Sequence, residues 1–144
     1  MKVSEVMTRE VEFVPADATV REAATAMAEH DIGAVLVGSA EQPEGILTDR
    51  DIILRVVVEG RDLTDLRVRD AMSSTLFTCR ADDPVQTVAR EMEERQVRRL
   101  PVVGEDGAVV GIVVRSDLVR AIAEEPKTFP ADEPEPAPPF QSRR

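Results

Sequence analysis

The chain says the same thing twice. Val3, Val6, Met7, Ala16, Asp17, Val20, Ala24, Met27, Glu29 and Val37 recur 65 residues later as Val68, Ala71, Met72, Ala81, Asp82, Val85, Ala89, Met92, Glu94 and Val102. The spacing then slips by one, so that Gly45-Ile46-Leu47-Thr48-Asp49-Arg50-Asp51 aligns with Gly111-Ile112-Val113-Val114-Arg115-Ser116-Asp117. A repeat of this length is a supersecondary unit too small to bury its apolar face alone. Two such units packed about a pseudo-two-fold axis leave a cleft between them, and function is expected there. The division expected is a first repeat over 1–62, a second over 63–125 and a Pro-rich tail over 126–144.

Each repeat carries the same order of signals. Thr19-Val20-Arg21-Glu22 has the form of a capping box, and Val20, Ala23, Ala24 and Met27 follow on one face of a helix that runs to about His30. Its counterpart opens with Asp83-Pro84, read as an N-cap followed by proline at the first helical position, and repeats the face at Val85, Val88, Ala89 and Met92. Two apolar runs follow each helix, Ala34 to Val37 then Gly45 to Leu47, and Leu100 to Val103 then Val109 to Val114. Glu105-Asp106-Gly107 between the second pair is a hairpin signal. A closing helix is expected from about Asp49 to Glu59 and from about Ser116 to Glu125. With an extended stretch at Val11 to Val14 or Leu76 to Cys79, each unit reads as β-α-β-β-α, an α/β (α+β) class. Ile52 to Val58 is apolar on nearly every side of its helix and needs cover all round. A second copy of the chain is the expected cover, which makes a homodimer.

Charge and composition exclude several functions. The net charge of −10 and the near absence of aromatics (3%, no Trp or Tyr) argue against a nucleic-acid binder, which needs clustered cations or stacking platforms. The single cysteine, Cys79, rules out an intramolecular disulfide, and no apolar stretch resembles a signal peptide or a membrane span. A cytoplasmic protein is expected. The tail holds six of the ten prolines and reads as extended or disordered, with Phe129 and Phe140 as possible docking points.

The constellation able to carry chemistry is Thr48-Asp49-Arg50-Asp51. A hydroxyl, a cation and a carboxylate stand across the first turn of a helix, whose unpaired N–H groups suit a phosphate. Thr48 is able to donate to a phosphate oxygen, Arg50 to supply charge and Asp51 to accept from two ribose hydroxyls. The same Thr48-x-x-Asp51 spacing is also a capping box that serves only the helix end, and the residues alone favour that reading. Location favours a ligand, because the repeat puts this turn and its twin on opposite sides of a cleft.

The doubled unit, the lead-ins Val-x-x-Val-Met-Thr at 3–8 and Val-x-x-Ala-Met-Ser at 68–73, and the Gly-h-h-Thr-x-x-Asp turn (h, apolar) resemble a tandem pair of cystathionine-β-synthase (CBS) domains. Glu59-Gly60-Arg61-Asp62 and Gln96 to Val102 are similar to small bacterial stand-alone pairs of the hypoxic response protein type. The resemblance implies a regulatory, non-catalytic module that binds an adenosine nucleotide (AMP, ADP or ATP) between its repeats, dimerises and signals to an effector protein. It implies a first site with Thr48 at phosphate and Asp51 at ribose, beside Arg50, and with Val14, Pro15, Ile32, Gly33 and Ala34 around adenine. It implies a second site with Asp117 at ribose and with Thr78, Cys79, Arg98, Arg99 and Pro101 as walls. Val114 stands where Thr or Ser is expected there, so the second site loses one charge-assisted bond of about 1.5–3 kcal/mol. Arg115 or Ser116 is the candidate to compensate, and this site is expected to be the weaker. A ligand-independent dimeric scaffold is the rival reading.

No metal or cofactor is expected. His30 has no second His or Cys at ligand spacing and suits a helix end; Cys79 has no histidine partner and suits an apolar wall. No nucleophile stands with a general base, so catalysis is not expected.

Overall fold

A computed structural model describes residues 1–125; the expected tail, with Phe129 and Phe140, lies outside the described residues. The first repeat runs β1 (Phe13–Val14), α1 (Val20–His30), β2 (Ala34–Gly38), β3 (Pro43–Thr48) and α2 (Asp49–Ile52), and α2 continues as a π-helical turn over Ile53–Val57. A short α3 (Val68–Ala71) leads into β4 (Cys79–Arg80), α4 (Val85–Arg95), β5 (Arg99–Val103), β6 (Val109–Val114) and α5 (Arg115–Glu124). In each sheet the first strand pairs in parallel with the second, across the helix, and the second pairs antiparallel with the third. The doubled β-α-β-β-α order is therefore observed.

Local chemistry explains most boundaries. The Thr19 hydroxyl accepts from Glu22 N at 3.1 Å while Thr19 N donates to the Glu22 carboxylate at 3.1 Å, a complete capping box. At α4 the expectation needs correction. Pro84, not Asp83, occupies the cap position, and the Asp83 carboxylate accepts from Arg80 N at 2.9 Å. Asp83 lies two residues before the helix and closes the preceding turn instead.

The two cores are built crosswise. Val3 is completely buried in the second core, among Val85, Met92, Val102 and Leu118. Val68 and Ala71 are completely buried in the first, with Val20, Met27, Val37 and Leu47. Each lead-in segment thus packs on the repeat that it does not precede directly, residues 1–8 on the second sheet and α3 on the first. Backbone bonds fix both crossings: Thr8 and Ile112 exchange bonds of 2.8 and 2.9 Å, and Ser73 and Ile46 exchange bonds of 3.0 and 2.9 Å.

The crossings explain the strand glycines shared by the two motifs. A Cβ on Gly45 would stand 2.6 Å from Ser73 O and 2.9 Å from the Met72 sulfur. One on Gly111 would stand 2.8 Å from both Thr8 O and the Met7 sulfur. The lead-in backbone lies where a side chain would be, so these glycines serve close approach rather than unusual dihedrals.

Candidate functional site

A cleft of about 800 Å³ opens between the repeats. The first repeat supplies Thr48, Arg50 and Asp51 from the β3–α2 junction, and the second supplies Arg98, Arg99, Pro101 and Arg115. Thr75, Leu76 and Phe77, from the chain before β4, complete the wall. The Arg95 guanidinium lies over the Phe77 ring, 4.2 Å from its centroid.

The capping box and a ligand-facing role prove compatible at Thr48 and Asp51. Asp51 N donates to the Thr48 hydroxyl oxygen at 3.1 Å, and Thr48 N donates to Asp51 Oδ2 at 3.0 Å. A hydroxyl that accepts keeps its own proton to donate, and a carboxylate that accepts through one oxygen keeps the other. The helix-end phosphate seat does not survive. Asp49 N donates to Gly33 O at 2.9 Å, Arg50 N to the Asp49 carboxylate at 2.8 Å and Asp51 N to Thr48. With those three donors occupied, an anion in this cleft has to be met by the Thr48 hydroxyl and by guanidinium groups. At the twin junction Val114 offers no side-chain cap to α5.

The structure groups the expected site residues across the repeats rather than within them. Arg98, Arg99, Pro101 and Arg115, expected in the second site, face Thr48 and Asp51. Val14 and Pro15 lie elsewhere, bordering a separate hollow with Gly38, Ser39 and Arg69. The strand register gives the reason. Val14 pairs with Val37, whereas the cleft opens at the Ala34 end of β2, three residues or about 10 Å away. Ile32 and Ala34 belong to the first repeat's own sheet and core, and Gly33 borders the cleft through Arg99, whose guanidinium would meet a Cβ there at 2.5 Å.

Thr78 is not among the residues lining the cleft, and Ser116 and Asp117 also lie outside it. Asp117 instead pairs with Arg120 at 3.5 Å. The sequence reading missed Thr75, Leu76 and Phe77. The only available signal was Phe77 itself, one of four phenylalanines, standing just before an extended stretch.

Cys79 belongs to the second core, 3% exposed, with its thiol 3.8 Å from Pro101 O. Burial, with Asp83 and Glu91 adding negative potential, pushes the thiol up to about 12. The folded protein therefore resists alkylation below about pH 10, and native protein at pH 8 should label only as fast as it unfolds. The same shift costs stability in alkali: above the ordinary thiol value of 9.0 the unfolded chain loses its proton first, so stability falls as pH rises from there toward 12. Stoichiometric labelling of native protein within minutes at pH 8 would contradict this burial.

His30 closes α1 and lies 3.4 Å from a Glu12 oxygen. Among the described residues no three His, Cys, Asp or Glu side chains cluster to hold a metal, and no helix is long and apolar enough to cross a membrane.

Comparison with known proteins agrees with this architecture. CBS-domain protein YhcV of Bacillus subtilis is 37% identical over 116 residues, which is 81% of each chain. Hypoxic response protein 1 of Mycobacterium tuberculosis is 35% identical over 121 residues, 83% of this chain and 84% of that one. Among solved structures, the hexameric CBS-CP12 protein from bloom-forming cyanobacteria superposes with a TM-score of 0.80 at 29% identity, over 90% of this chain and 73% of that one. The CBS domain family matches residues 3–58 and again 68–124. The chain belongs to the CBS-domain family, as a tandem pair of CBS domains.

Proposed function

We propose that this protein is a non-catalytic regulatory module that binds an adenosine nucleotide in the cleft between its repeats and passes its state to a partner protein. The observation that carries the reading is the meeting, in one cavity of about 800 Å³, of Thr48 and Asp51 with arginines from the opposite repeat and an apolar wall at Leu76, Phe77 and Pro101. That volume lies within the usual range for small-molecule sites, about 300–1,000 Å³. Asp51 takes the ribose hydroxyls, Thr48 and the arginines take phosphate, and the apolar wall takes the base. A nucleotide spanning both repeats binds one arrangement of them more tightly and shifts the population toward it.

Thermal melting tests this with AMP, ADP, ATP, NAD and S-adenosylmethionine, each at millimolar concentration. A ligand at about 100 times its dissociation constant stabilises by about 2.7 kcal/mol, several degrees for a domain of this size. No shift with any ligand would sink the reading and leave the rival, a ligand-independent scaffold.

The scaffold has its own support. Ile53, Leu54, Val57 and Val58 are 46–70% exposed on the outside of the π-helical turn, and Val119 on α5 is 53% exposed. Ile52 and Val56 reach the core, so the all-apolar helix is covered on one side only. Our reading pairs this face with a second copy, giving a homodimer; the CBS-CP12 relative, a hexamer, also assembles from copies. Sedimentation velocity should show a species of twice the 15.8-kDa chain, reverting to monomer in Leu54→Glu/Val57→Glu. A wild-type monomer at tens of micromolar would contradict the dimer.

A further inference from the structure

The sequence beyond the last helix separates its charges. Lys127 comes first, Asp132, Glu133 and Glu135 follow as one block between Pro130 and Pro136, and Arg143 and Arg144 come last. Three acidic residues there balance three basic ones, so the net −10 of the chain belongs to residues 1–125. Most of the folded surface therefore repels an acidic block. The cleft is the exception. Arg50, Arg55, Arg98, Arg99 and Arg115 line it against Asp51 and Glu93, a local excess of three positive charges. Arg55 donates to the carbonyls of Ala71 and Met72 at 2.9 and 3.1 Å, and none of the five arginines is ion-paired among the described residues.

We infer that Asp132, Glu133 and Glu135 dock in this cleft within their own chain and cover its arginines. Reach selects the block. α5 begins at Arg115, on the cleft, and its ten residues carry the chain about 15 Å away, at about 1.5 Å per residue. Glu125, just past the helix, is held there by Gln86, whose amide nitrogen donates to its carboxylate at 2.7 Å. Gln86 stands in the first turn of α4, and Glu93 and Gln96 at the other end of that helix border the cleft, so the root of the tail is one helix length from it. A Pro-rich chain extends about 3.1 Å per residue. Counted from Glu125, Lys127 comes about 6 Å and falls short, whereas Asp132 comes about 22 Å and Glu135 about 31 Å, enough to return along the helix and enter the cleft. Carboxylates match guanidinium forks oxygen for nitrogen, and the prolines at 130, 134 and 136 reduce the freedom lost on docking. An anionic ligand then enters only by displacing the block, which releases the tail as the cleft fills.

Paramagnetic relaxation in the full chain tests this, with a nitroxide on Ala137→Cys beside the block. Cys79 is 3% exposed, so the new thiol labels alone. The backbone amides of Thr75 to Phe77 and Arg98 to Leu100 should broaden most. That broadening should be lost in Asp132→Asn/Glu133→Gln/Glu135→Gln, and also in about 0.5 M salt, where screening shortens to a few ångströms. The substitutions leave residues 1–125 unaltered, so lost broadening with unchanged core amide shifts is loss of docking rather than of fold. Spin-labelled chains mixed with isotope-labelled chains that carry no nitroxide should show no broadening; broadening there would assign the tail to a second copy and overturn docking within the chain. Broadening spread evenly over the surface, broadening centred on Ile53 to Val58, or an effect unchanged in the neutral variant would overturn it too. No nucleotide enters the experiment, so its failure leaves the nucleotide reading standing.

Discussion

Val3→Asp is expected to strip protection from the second repeat first, although residue 3 precedes the first. Val3 is fully buried against the second core, and its N–H donates to Asp83 O at 2.9 Å. A carboxylate there has no cation to pair with inside the core, and its desolvation costs several kcal/mol, a large part of the roughly 5–15 kcal/mol that holds a domain together. Amide hydrogen exchange should show α4, β5 and β6 losing protection before α1, β2 and β3. Val68→Asp, whose target is fully buried in the first core, should reverse that order. Loss confined to the repeat next in sequence to each substitution would contradict the crossed cores.

Asp51→Ala is expected to weaken ATP binding about 100-fold or more, since two charge-assisted bonds to the ribose are each worth about 1.5–3 kcal/mol. The substitution also removes half of a capping box, at about 1 kcal/mol of stability. Each variant's ligand-induced melting shift is therefore read against its own unliganded midpoint. Thr48→Val installs the residue that the second repeat carries at Val114, and should cost about tenfold or more, the equivalent of one such bond. A ligand-induced shift that survives in both variants would place the nucleotide away from this junction.

The repeat made the fold legible. A period of 65 residues, capping signals at Thr19 and apolar faces at helical spacing specify doubled units, because each is a local property of the sequence. The crossing of the lead-ins was not legible, since Val3 and Val68 are apolar in either arrangement and nothing local says which core receives them. The widening of α2 into a π turn left no signal either: Val58 N bonds Ile53 O at 2.9 Å, a choice made by packing.

At the site, Thr48 and Asp51 were legible as a motif, and the structure completes both their reciprocal cap and their place in the cleft. Their companions were not. Val14 and Pro15 were grouped with Thr48 on the resemblance alone, whereas the β3–α2 junction faces Arg98, Arg99 and Phe77 of the other repeat. Periodicity assigns a residue to a face but not to a partner across a pseudo-dyad.

The most direct test of the account is an ATP titration followed through the backbone amide shifts of isotope-labelled protein. Saturable changes are expected at Thr48 to Asp51 together with Thr75 to Phe77 and Arg98 to Leu100, on both repeats at one midpoint. Changes centred on Val14, Pro15 and Ser39, or none at saturating nucleotide, would contradict it.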